Sequence, residues 1–160
     1  GDTIPCITLK NIYVYPKLKF KNKRQERYYY KLVRDVKKTL PLAKEIKRAV
    51  IETYEYMETL PNQKAKEQHM KMVEKGLKEQ YTAHMKKLTF SQGKLLIKLV
   101  NRECNQSSYQ LVKAFMGPFK AGFYQAFAAL FGASLKKEYH PEDDDKMVER
   151  VVTLVENGQL

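Results

Sequence analysis

The chain has 160 residues, 43% of them hydrophobic and 30% charged, with 7 Gly and 6 Pro, which suits one folded domain and excludes a disordered or fibrous chain. Thirty Lys and Arg against 18 Asp and Glu give a net charge of +12, a balance that favours anionic partners such as nucleic acid, phospholipid headgroups or lipopolysaccharide. Two cysteines, Cys6 and Cys104, are too few for a disulfide framework, and the longest uncharged run, Ala121 to Leu135, falls short of the roughly 20 apolar residues of a membrane span.

Residues 6–15, CITLKNIYVY, are rich in strand-forming side chains and stop at Pro16. No second segment of this kind offers itself as a pairing partner, so residues 1–16 are expected to form an extended arm packed on helices. Asn22 then caps a helix that runs to about Lys38. Tyr29, Leu32, Val33 and Val36 make its apolar face, and Lys23, Arg27, Lys31, Arg34 and Lys38 line another face at spacings of three and four. Thr39 is expected to cap a second helix with Pro41 in its first turn and Ile46, Val50, Thr53 and Met57 inside. Leu60-Pro61-Asn62 ends that helix and caps a third. The third carries a thin stripe of Met70, Val73, Leu77, Tyr81, His84 and Leu88. Two long helices about so short a turn predict an antiparallel hairpin.

Thr89-Phe90-Ser91-Gln92 fits a capping box. The helix it opens should hold Leu95, Leu96, Leu99 and Val100 inside, with Lys94, Lys98 and Arg102 outside. After a turn at Asn105 to Ser107 comes a short helix with Tyr109, Val112, Phe115 and Met116, broken by Gly117-Pro118. Residues 118–131 are apolar all round, which predicts a helix at the centre of a bundle. His140-Pro141 and the acidic run Glu142 to Asp145 precede an amphipathic helix with Met147, Val148, Val151, Val152 and Val155, and Asn157-Gly158 suits its C-terminal cap. The expected fold is all-α: a single domain over residues 1–160, in which residues 17–160 form a helical bundle of about six or seven helices behind the extended N-terminal arm.

The charge is concentrated. Lys17 to Arg48 holds 13 basic and three acidic residues, a net of +10, which leaves +2 for the rest. Lys23, Arg24, Arg27, Lys31, Arg34 and Lys38 form the candidate anion-binding face, with Tyr28, Tyr29 and Tyr30 among them to stack on bases or sit at a lipid interface. The plainer reading is a solvated helix face with tyrosines partly turned inward. A possible cleft is marked by Gln92, Arg102, Glu103, Tyr124 and Gln125, with Glu103 as an acid or base and Cys104 as a nucleophile. Nothing in the sequence supplies a partner base or an oxyanion hole, and an Arg-Glu pair at a helix end ordinarily caps or pairs. Residues 88–116 allow a helix-turn-helix, but only Gln110 and Lys113 face outward as readers. His69, His84 and His140 stand in no metal-binding pattern, and the acidic run lacks the spacing of a calcium loop. No phosphate-binding loop, dinucleotide fingerprint or nucleophile elbow is present. No catalytic residue, metal or cofactor is therefore expected, and an enzyme is the less favoured class.

Three stretches carry a resemblance: VYPKLKFKNKRQERYYYKLVRDVK, LTFSQGKLLIKLVNRE, and SYQLVKAFMGPFKAGFYQAFAALFG followed by LKKEYHPEDDD. Together they resemble a domain-of-unknown-function family of Bacteroidetes, DUF4294, over about Ile4 to Glu149. Cys104-Asn105 departs from it, standing where a Thr-Gly turn is expected. The resemblance implies no activity. It implies export, and so a periplasmic or cell-envelope setting, with an export signal removed ahead of Gly1. The leading functional expectation is a non-catalytic envelope protein that binds an anionic lipid, lipopolysaccharide or a protein partner through the basic face. Nucleic-acid binding and an enzyme on a helical scaffold are the alternatives. The sequence leaves open whether Cys6 and Cys104 are bridged.

Overall fold

Helix-forming periodicity prevails along the chain. A computed structural model describes residues 1, 3–105, 129 and 145–160, without the side chains of Glu74, Leu77, Lys78 and Cys104. Four helices are present among the described residues: α1 (Lys23–Glu58), α2 (Gln63–Met85), α3 (Phe90–Asn105) and α4 (Lys146–Glu156). No strand occurs among them, so the protein is all-α. The expected helices over 107–116 and 118–131, with Tyr109 to Met116 and the phenylalanine-rich segment, lie outside the described residues.

The sequence predicts two helices divided near Thr39, whereas one 36-residue helix runs through Pro41. Thr39 is fully buried in the interior of that helix rather than at its start. The physical reason is the phase of the apolar residues. Val36, Leu40, Ala43, Ile46 and Val50, each 4% exposed or less, follow at spacings of four, three, three and four across Pro41 without a break. A proline costs an interior helix about 3 kcal/mol through its missing N–H and ring clash. Five aligned buried side chains, at roughly 1.5–3 kcal/mol for each large one, outweigh it.

α1 ends where expected. The Thr59 and Leu60 amides donate to the Tyr56 and Met57 carbonyls at 3.0 and 3.2 Å, tightening the last turn before Pro61. Asn62 caps α2, its Oδ1 accepting from the Ala65 amide at 2.9 Å. Tyr56 and His69 rings lie 4.5 Å apart, and Lys66 reaches Glu58 at 3.5 Å. Both pairs are arranged about residues 61–62, as in an antiparallel hairpin. In α2, Tyr81 is buried while Met70, Val73 and His84 are half-buried.

The Thr89–Gln92 capping box forms reciprocally. Thr89 Oγ1 accepts from the Gln92 amide at 3.3 Å, and Gln92 Oε1 accepts from the Thr89 amide at 3.1 Å. Leu95, Leu96, Leu99 and Val100 are buried in α3 as expected, together with Ile97. Arg102, expected outside, is 4% exposed. It lies inside because it has a buried counter-charge, Glu103.

In α4 Val148, Val151 and Val152 are buried, whereas Met147 is exposed. Its C-terminus closes as a Schellman motif: the Gln159 amide donates to the Leu154 carbonyl at 2.8 Å and the Gly158 amide to Val155 at 3.1 Å. Gly158 takes the left-handed conformation, φ 71°, that this cap requires.

The chain divides into two units, Gly1–Lys37 with His140–Leu160, and Lys38–Tyr139. The first unit contains the arm, the start of α1, and α4. Tyr29, Leu32, Val33, Val36, Val148, Val151 and Val152 are its buried apolar residues. The second contains the rest of α1, α2 and α3, with Ile46, Val50, Met85, Leu96 and Leu99 fully or almost fully buried.

Candidate anion-binding face

The start of α1 is set by Asn22, whose Oδ1 accepts from the Gln25 amide at 2.9 Å, while Gln25 Oε1 accepts from the Lys21 amide at 2.7 Å. Beyond this cap the helical turn of about 100° per residue sorts the side chains. Lys23, Arg24, Arg27, Lys31 and Arg34 fall within an arc of about 100° and extend over about 16 Å of helix. All five are exposed. Leu32, Val36, Tyr29 and Val33, all buried, occupy the opposite arc.

The tyrosines divide between the two faces. Tyr29 is buried against Phe20, ring centres 5.6 Å apart. Tyr28 and Tyr30 are 62% and 56% exposed and flank the cationic arc on either side. Lys21, Asn22, Arg24, Gln25 and Tyr28 line an open depression of about 320 Å³ at the head of the helix.

Charge pairing is uneven along the row. Lys31 pairs with Asp35, one turn on, at 2.6 Å. Among the described residues no carboxylate pairs with Lys23, Arg24, Arg27 or Arg34. Lys38, the last member predicted from sequence, belongs to the second unit. There its ammonium donates to Gln92 Oε1 at 3.2 Å and to the Lys87 carbonyl at 3.4 Å, so it braces the α3 cap.

Among the described residues of the expected cleft, Gln92 stands apart from Arg102 and Glu103. Gln92 sits at the first turn of α3, and Arg102 and Glu103 at the last, about 15 Å away along the axis. Tyr124 and Gln125 lie outside the described residues, as does the Cys104 side chain; Cys6 is a free, exposed thiol. Arg102 and Glu103 do meet, Nη1 to Oε1 at 3.1 Å, and Lys47 of α1 approaches the other carboxylate oxygen at 3.3 Å. Glu103 is thus held between two cations, an arrangement that compensates charge in the interior of the second unit. Lys47 was legible: it stands four residues after Ala43 and three before Val50, at the edge of the apolar stripe. Among the described residues no cluster of three or more His, Cys, Asp or Glu side chains is placed to hold a metal ion.

Two contacts have no local signature. Gln159 clamps Tyr13, its amide accepting from the Tyr13 N–H at 3.0 Å and donating to the Tyr13 carbonyl at 2.9 Å. Arg150 donates to the Pro16 carbonyl at 2.8 Å with its guanidinium over the Tyr15 ring, 4.9 Å from the centroid. These tie the base of the arm to α4. Among the described residues no helix is long and apolar enough to cross a membrane.

Comparison with curated proteins and with solved structures gives no match. Residues 2–154 match the family described as a domain of unknown function, DUF4294, and the chain belongs to that family.

Proposed function

We propose that the chain is a non-catalytic cell-envelope protein that binds a phosphate-bearing anionic surface through the opening face of α1. One observation supports this most: Lys23, Arg24, Arg27 and Arg34 are exposed in a single row, with no carboxylate partner among the described residues, between exposed Tyr28 and Tyr30. Such a row attracts phosphates by charge, and flanking phenols suit the boundary between headgroups and acyl chains. The envelope setting rests on the resemblance described above.

Co-sedimentation of the chain with phosphatidylglycerol vesicles, at low and high salt, tests the reading. Each cation near an anionic surface contributes about 1 kcal/mol, about fivefold in affinity. Arg27→Gln with Arg34→Gln should therefore weaken binding about 25-fold. Binding that neither salt nor this double substitution reduces would overturn the proposal. So would binding to single-stranded oligonucleotides with none to vesicles or lipopolysaccharide, which would assign the same face to nucleic acid.

A further inference from the structure

We propose that the N-terminal arm is a donor strand that completes the open edge of a β-sheet in an acidic partner protein. This inference concerns a surface other than the basic face and stands separately from the reading above.

The arm exposes more large apolar surface than any other described segment. Ile4, Ile7, Leu9, Ile12 and Val14 are 80–91% exposed, within eleven consecutive residues. Among the described residues no hydrogen bond is made by any backbone group of residues 3–12. Unpaired amides and bare branched side chains are the two things a sheet edge covers at once.

The base of the arm already shows this pairing. The Gln159 amide engages both the N–H and the C=O of Tyr13, as an opposing residue does in an antiparallel ladder. Arg150 holds the next carbonyl but two, at Pro16, which itself cannot continue a strand. In an extended chain the backbone groups alternate between edges with a period of two. The Gln159 clamp takes the Tyr13 edge and Arg150 closes the other edge at Pro16, which leaves Thr8, Lys10, Ile12 and Val14 on that edge for a partner.

Chemistry selects the occupant. A lipid interior supplies no hydrogen-bond partners, so inserting residues 3–12 would strand their amides in hydrocarbon. A second copy carries the same +12 charge, and the described residues offer it no sheet edge beyond the arm itself. A ribbon of two arms alone is marginal in water. An acidic protein with an unpaired strand answers both the open amides and the nearby cations, Lys10 within the arm and Lys17 and Lys19 just beyond it.

The test titrates the full chain with a synthetic three-stranded β-sheet peptide, its open edge strand alternating valine and threonine with glutamate at both ends, and with the same peptide N-methylated at alternate residues of that edge. We expect hydrogen-exchange protection at Thr8, Lys10, Ile12 and Val14 with the first peptide. Affinity should fall at least about tenfold with the methylated one, the loss of about 1.4 kcal/mol. Ile12→Pro should cause a similar loss while leaving the melting temperature unchanged, because Ile12 is exposed and unbonded. Four results would overturn the inference: no protection at saturating peptide, equal binding of the methylated peptide, dimerisation of the chain alone with the arm protected, or protection by anionic vesicles.

Discussion

Glu103 shows how a single residue decides whether a charged interior holds. It accepts from Arg102 and Lys47, and both it and Arg102 are 4% exposed. Removing the carboxylate takes a counter-charge from two cations at once, and breaking a buried pair costs up to about 3–5 kcal/mol. Glu103→Gln should therefore lower unfolding stability by about 3 kcal/mol in urea titration. Lys47→Met should cost far less, since the Lys47 side chain is 29% exposed and can be replaced in part by water. Equal losses for the two variants would mean that Lys47, not Arg102, is the counter-charge that matters. Gly158 gives a second case. A Cβ there would meet nothing within 4 Å, so Gly158→Ala isolates the cost of the left-handed backbone, about 1–2 kcal/mol, readable as a fall in melting temperature.

At the level of the element, local signals and long apolar stripes compete. Pro41 sits inside α1 because the stripe from Val36 to Val50 keeps phase through it, so Pro41→Ala should restore a backbone hydrogen bond and stabilise the chain by about 2–3 kcal/mol. Gly76 in α2 is exposed and has open space where a Cβ would stand; Gly76→Ala should add about 1 kcal/mol. Both gains are measurable by thermal unfolding followed by circular dichroism. The same competition explains what could be read from the sequence. The Asn62 cap, the Thr89–Gln92 box and the Gly158 closure were legible because each is complete within a few residues. The sequence points to a division of α1 at Thr39 because Thr39-Leu40-Pro41 is a good local start signal, and such a signal says nothing about the burial that overrides it. Arg102 reads as outward for a similar reason: its charge argues for solvent, and its bond to Glu103 helps make burial tolerable. The Tyr13–Gln159 clamp spans 146 residues and had no local signal at all.

For the whole molecule the question is whether charge or its arrangement matters. A chain at +12 is drawn to any polyanion, and such attraction falls with salt whatever the geometry. Only an arranged face distinguishes itself from net charge. Lys23, Arg24, Arg27 and Arg34 changed to Gln, and separately Lys64, Lys71, Lys75 and Lys86 changed to Gln, each lower the charge by four, from +12 to +8. All eight residues are exposed, so both variants should melt close to the parent. If the α1 row is the contact, the first variant loses about 4 kcal/mol of vesicle affinity, roughly 1 kcal/mol per cation, and most of its salt dependence. The second, whose charges lie along one face of α2 and its C-terminal cap over about 33 Å, at about half the density of the α1 row, stays within a few fold of the parent. Equal losses would show that the attraction belongs to the protein's overall field, and the face on α1 would then be an ordinary solvated helix surface.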